Sequence, residues 1–250
     1  MTRAADMHPA LARTAHRPWP IPSTGWIWRQ TWHDLLFAHW PVPVAAVRHL
    51  VPDWLTVQEC AGSSWVGLVP FRMTGVTLRH VPPLPVFSHF PEMNLRLYVE
   101  RDGKPGIWFI SLDAARRSAV ITARTLAHLP YFFSRMSLGT EGESVVYSSV
   151  RTGGHVAFEG TYAPAGPVRD AEAGSLEHFL TERYCLYTAD RRGRRLRLNI
   201  HHRPWPLQSA EAAFVTNRVA QPQGIALPDT APLLHFSRKL DVIGWGFERI

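Results

Sequence analysis

The chain has 250 residues, 46% of them hydrophobic and 19% charged, a balance that supports a core and excludes wholesale disorder. Its formal net charge is +7, nearly all from arginine, because Lys104 and Lys239 are the only lysines. No apolar run approaches the ~20 residues of a membrane helix, and the stretch Met1–Pro22 has scattered charges in place of the apolar block of a secretory signal. A cytoplasmic protein with no membrane partner is the expectation.

Residues 1–24 contain Pro9, Pro18, Pro20 and Pro22 without periodicity and read as a loose N-terminal arm. Residues 25–250 read as one domain. Trp26, Trp28 and Trp32 alternate with polar residues as in a strand. Pro43–Leu50 has the proline and the Val44/Val47 spacing of a short helix, closed by Pro52. Ser64–Met73, Met93–Glu100 and Gly106–Asp113 read as strands, the last two joined into a hairpin at Asp102-Gly103. Arg116–His128 is the central helix, ended by Pro130. Strands are expected again at Ser144–Arg151, His155–Ala163, Arg194–His201 and Leu233–Val242. Ser175 is positioned to cap a helix through Glu182. This succession predicts a mainly β fold: an antiparallel sheet, closed or nearly closed into a β-barrel, with a few short helices.

The most informative segment is Phe90–Val99. Side chains alternate across a strand, so Met93, Leu95, Leu97 and Val99 share one face and Glu92, Asn94, Arg96 and Tyr98 the other. In a two-layer protein that polar face would be wet; in a closed barrel it would line the interior. Pattern alone leaves both readings open. The next strand offers Ser111 and Asp113 on one face, with Ile110 and Leu112 on the other.

Several familiar chemistries are excluded or unsupported. Cys60 and Cys185 are too few for a disulfide framework and lack zinc spacing. The thirteen histidines form no His-x-x-x-His or His-Glu-x-x-His motif, so no metal is implied. Gly-x-Gly-x-x-Gly, the Walker loop and the Gly-x-Ser-x-Gly elbow are all missing, and no cofactor is indicated. The basic run Arg191-Arg192-Gly193-Arg194-Arg195 sits at a predicted turn without a nucleic-acid-binding motif, and reads as a solvated charge cluster.

A set of stretches in order resembles the YqjF-like family of bacterial proteins of unknown function. They are Phe37-Ala38-His39-Trp40-Pro41-Val42, Trp65-Val66-Gly67-Leu68-Val69-Pro70-Phe71, Glu92 to Val99, Gly106 to Asp113, Leu129-Pro130-Tyr131, Glu182-Arg183-Tyr184 and His202-Arg203-Pro204-Trp205. Leu97 departs from the small polar residue more common there. The family is similar in fold to acetoacetate decarboxylase, a cone-shaped β-barrel with its active site inside, and this resemblance implies that Glu92 and Arg96 line a pocket. The decarboxylase uses a Schiff-base lysine and a second lysine beside it, after a proline. Here Tyr131 and Phe132 follow Pro130. The resemblance therefore implies a retained pocket and a lost Schiff-base mechanism.

The expected site comprises Glu92, Asn94, Arg96, Tyr98, Ser111, Asp113, Arg124 and Tyr131. Arg96 and Arg124 would contact an anion, because guanidinium matches carboxylate geometry. Glu92 and Tyr131 would orient a small organic ligand or move a proton. The leading expectation is a binder of such a molecule. The alternatives are a lyase, isomerase or hydrolase using Glu92 and Tyr131, and a non-catalytic interaction module with a tryptophan-rich surface.

Overall fold

A computed structural model of the chain describes residues 8–83 and 88–250. Twelve strands form one continuous sheet whose hydrogen bonds close on themselves. They are β1 (Trp28–Val42), β2 (Thr56–Val57), β3 (Ser64–Leu78), β4 (Phe90–Arg101), β5 (Lys104–Ala114), β6 (Tyr131–Glu141), β7 (Ser144–Arg151), β8 (Ala157–Arg169), β9 (Cys185–Ala189), β10 (Arg195–His201), β11 (Leu207–Arg218) and β12 (Leu233–Arg249). Short helices described with them include α1 (Val44–Val47), α2 (Arg117–Leu126) and α3 (Leu176–Thr181).

Two rings share a wall. One runs β4-β3-β1-β12-β10-β9-β5 and back to β4. The other leaves β5 through β6, β7, β8 and β11 and rejoins at β12. Among the described residues the pairings are antiparallel except β5 with β6 and β5 with β9. The expected closed antiparallel sheet is thus present, with two parallel seams. The first exists because α2 leads the chain out of the end of β5 and returns it beside Leu112, where β6 begins in the same direction.

The shared wall explains the sequence of β4. Met93, Leu95, Leu97 and Val99 enter the larger ring, where they meet Tyr147 of β7 and Phe158 of β8 in a filled apolar core. Glu92, Asn94 and Arg96 point the other way, into the seven-strand ring. A strand between two interiors has no wet face, so both of its faces are buried and its alternation separates two kinds of interior. The β4–β5 hairpin turns as expected at Asp102 and Gly103, both left-handed with φ 52° and 68°, as a two-residue turn of this hand requires.

Two irregularities change the phase of the alternation. In β1 the register shifts between His33 and Ala38. There Asp34 takes φ 50°, and its carboxylate is held by Arg72 and Arg238 at 3.1 Å each. Trp28 and Trp32 line the small ring before the shift, and Leu35 after it. In β5 the register shifts at Ile110, so Leu95 faces Ser111 while Arg96 faces Phe109.

Residues 8–24, expected as a loose arm, are anchored on the domain at Ala10 and Arg17; residues 1–7 lie outside the description. Ala10 is buried against Ile243 and Trp245. The Arg17 guanidinium donates to the Trp19 and Ile200 carbonyls and stands 4.7 Å from the Tyr184 ring centre. Four strands were not among the sequence expectations: β2, β6, β9 and β11. The helix expected over Pro43–Leu50 is one α turn, α1, continued by a 3-10 turn over Arg48–Leu50. Ser175 caps α3 as expected, its Oγ accepting from the His178 amide at 3.2 Å.

Candidate ligand cavity

The seven-strand ring is hollow. Its cavity measures about 670 Å³ and receives side chains from all seven strands, within the range of small-molecule pockets. The inner face of α2 (Ser118, Ala119, Thr122, Ala123) closes one side, and Thr181 and Arg183, at the end of α3, close another.

Register on β3 and β4 orders the cavity by depth. Gly67 lies opposite Arg96, Val69 opposite Asn94, Phe71 opposite Glu92 and Met73 opposite Phe90. Each step of two residues is about 6.6 Å. At the Arg96 level Gly67 leaves room that a side chain would crowd: a Cβ there would stand 3.2 Å from both the Arg96 side chain and the His39 ring.

Arg96 is buried. Its Nε and Nη2 donate to the Tyr98 hydroxyl at 3.1 and 3.0 Å, and Nη2 also donates to the Leu180 carbonyl at 3.0 Å. Tyr98 itself donates to Leu180 O at 2.8 Å. Its one proton is thereby used, so His39 Nε2, 2.6 Å away, must donate to it. Burial, then the Arg96 charge, holds the His39 pKa well below the usual imidazole range, consistent with a neutral ring. Arg183 approaches the same tyrosine, its guanidinium 5.2 Å from the ring centre against 5.4 Å for Arg96. Arg183 donates to Phe179 O and Gln58 Oε1 at 2.8 Å each, while its buried Nη2 has no partner. Desolvation lowers its pKa to about 10, so it stays charged at neutral pH.

Neither arginine has a carboxylate within ion-pair distance among the described residues. The carboxyl in the cavity lining is Glu92, whose Oε2 accepts from the Tyr131 hydroxyl at 2.9 Å. Burial pushes the Glu92 pKa up to about 8, so at neutral pH it is mostly protonated. Asn94, between them on β4, keeps a buried Oδ1 without a partner. The cavity therefore holds two positive charges, a neutral acid and an unsatisfied amide.

The DUF2071 family, described as an uncharacterised conserved protein, matches residues 29–241. The chain belongs to this family. It is similar to the uncharacterised protein YqjF of Bacillus subtilis (strain 168), 46% identical over 226 residues, covering 90% of this chain and 93% of that protein. Solved structures share the fold at low identity. One is the enduracididine biosynthesis enzyme MppR complexed with pyruvate, at TM-score 0.63 and 12% identity over 90% of this chain and 91% of that one. Another is acetoacetate decarboxylase from Legionella pneumophila, at TM-score 0.62 and 12% identity over 97% and 95%. A third is an acetoacetate decarboxylase-like enzyme from Sphingomonas wittichii RW1, at 0.61 and 14% over 95% and 98%. The acetoacetate-decarboxylase-like fold is thus established for this DUF2071 chain.

The structure sorts the expected site residues. Glu92, Asn94, Arg96 and Tyr131 line one cavity, and Tyr98 sits behind Arg96 as its hydrogen-bond partner. Ser111 and Asp113 do not line it. The bulge at Ile110 pairs them with Leu95 and Met93, on the side of the filled core. There Asp113 binds Ser134 Oγ at 2.6 Å and Arg151 Nη2 at 2.6 Å. Arg124 is exposed on α2 and is absent from the cavity lining, so an anion contact for it is corrected; Ala123, beside it on the helix, takes the inner face. Both lysines also lie outside the lining: Lys104 at the hairpin turn and Lys239 exposed on β12. Among the described residues, no three His, Cys, Asp or Glu side chains converge as a metal site, and no helix is long and apolar enough to cross a membrane.

Sequence reasoning missed His39, Gly67, Arg183 and His202 as site residues. All four fall in stretches that carry the family resemblance. That coincidence of a conspicuous stretch with a histidine or arginine in a strand or at a helix end was the available signal.

Proposed function

We propose that this chain binds a small organic anion inside the seven-strand ring, without Schiff-base chemistry. The observation that carries the reading is the charge imbalance: Arg96 and Arg183 are buried at one end of the cavity without a carboxylate, and the neighbouring acid, Glu92, is mostly neutral at pH 7. Buried charges require compensation, and an anionic ligand supplies it. A structural neighbour is complexed with pyruvate, itself a small organic anion. Tyr131 follows Pro130 where the resemblance to the decarboxylase implies an amine, and a phenol forms no imine. The large hydrophobic side chains exposed on the described surface include no aromatic residue, which favours an interior ligand over a tryptophan-rich docking surface. Two free thiols suit a cytoplasmic setting.

Mass spectrometry of small molecules carried through native purification tests this. The expected result is a carboxylate or other organic anion in stoichiometric amount, lost in Arg96→Met. Recovery of only neutral or cationic molecules overturns it. Borohydride added with β-keto acids should leave the protein mass unchanged; an adduct on Lys104 or Lys239 would refute the absence of imine chemistry.

A second reading has its own observation. Glu92 combines a pKa near neutrality with a hydrogen bond from Tyr131, the arrangement of a general acid or base. On that reading the chain is a lyase, isomerase or hydrolase, and Glu92→Gln abolishes turnover while ligand affinity persists.

A further inference from the structure

The charged side chains of the cavity, Arg96 and Arg183, lie at one end, and the polar lining away from β4 (Gln30, Ser118, Thr122, Tyr131, Thr181) is scattered and uncharged. Arg96, Asn94 and Glu92 occupy alternate positions of β4, while the wall at the same levels is apolar: Val69 and Phe71 on β3, Phe109 and Leu112 on β5, Leu198 and Ile200 on β10. Above Glu92 this polar strip of β4 ends. The next level holds Phe90, Met73 and Trp32, which are in register across three strands, and beyond them come Val76 and Trp28. Arg96 to Phe90 spans about 20 Å along β4. The lining then reaches the surface at Ile27, 47% exposed, and Leu126, 71% exposed. Charge thus lies at one end, and a mostly apolar passage, with Gln30 between Trp28 and Trp32, leads from it to an apolar rim.

Volume adds an independent constraint. At about 30 Å³ per water, 670 Å³ corresponds to roughly 20 water-sized groups. An acid of four carbons satisfies Arg96 and leaves most of the apolar wall in contact with water. Resting on the anion reading above, we infer that the ligand is an amphiphilic monocarboxylate: its head meets Arg96 and Arg183, and its apolar tail runs past Phe71 and Phe90 toward Ile27 and Leu126. Saturated straight-chain acids are the simplest members of this class.

Binding of butyrate, hexanoate, octanoate and octanol, followed by tryptophan fluorescence and calorimetry, tests the inference; Trp28, Trp32, Trp205 and Trp245 all line the cavity. Each buried methylene should tighten binding about four-fold, so octanoate should bind about two orders of magnitude more tightly than butyrate. Octanol should bind at least about tenfold more weakly than octanoate for want of the charged contact. Arg96→Met should weaken both acids and spare octanol. Equal affinity for butyrate and octanoate overturns the amphiphile while leaving the anion reading in place. Equal affinity for octanol and octanoate removes the anionic head and both readings with it, and so does failure of every acid to bind.

Discussion

At the scale of the residue, Glu92 makes the sharpest prediction. Its pKa of about 8 lies above the 4.5 of the unfolded chain, so between those values the folded state keeps a proton that the unfolded state releases. Stability therefore falls as pH rises through that window. His201 and His202, pushed down by burial to about 3 and about 4, act in the opposite sense. Their contribution is lost as pH falls below 6.5. Between pH 6.5 and 8 the Glu92 contribution stands apart from theirs. Over that interval the native chain should lose about 2 kcal/mol relative to Glu92→Gln. Denaturant titrations at the two pH values check this, and parallel curves for the two proteins would place a charged Glu92 in the folded state. Arg96→Met should weaken an organic anion by on the order of 2–5 kcal/mol. Its effect on stability should be smaller, because Tyr98 retains its own bond to Leu180 O.

At the scale of the element, what was legible in the sequence depended on whether a strand kept its phase. β4 alternates without interruption from Phe90 to Tyr98, so its two faces follow directly from its residues. β5 does not: the extra residue at Ile110 moves Ser111 and Asp113 to the opposite side from that of the polar face of β4, and alternation cannot announce a bulge. β1 hides its phase change in the same way at Asp34. β11 was missed for a different reason. Its Ser209-Ala210-Glu211-Ala212-Ala213 has helix-favouring composition, and pairing with β8 along most of its length overrides that preference. The wet-face and pocket readings of β4 could not be separated locally, because the answer lies in the second ring, assembled from residues far along the chain. The corrected role of Asp113 can be checked. Asp113→Ala should cost about 3–5 kcal/mol by leaving Arg151 unpaired at a buried site, while ligand affinity stays unchanged in the folded protein. A selective loss of binding would return Asp113 to the cavity.

At the scale of the whole molecule, the N-terminal segment belongs to the packed structure. Removing residues 1–24 would strip Ala10 from Ile243 and Trp245 and Arg17 from Tyr184 and the Ile200 carbonyl. We expect a loss of about 3 kcal/mol, or about 6–12 °C in Tm for a chain of this size. An unchanged Tm would mean that the segment contributes no net stability. The shared wall has a further consequence, in the language of hydrogen exchange. β4 is bonded to a neighbour on each edge and buried on each face, so its amides have no local opening short of dismantling both rings. They should be among the slowest to exchange, at the rate set by global unfolding. A ligand held at Arg96 would then slow those same amides by the factor through which it stabilises the entire fold. Protection along a strand that never moves would thereby report occupancy of the cavity as a thermodynamic quantity.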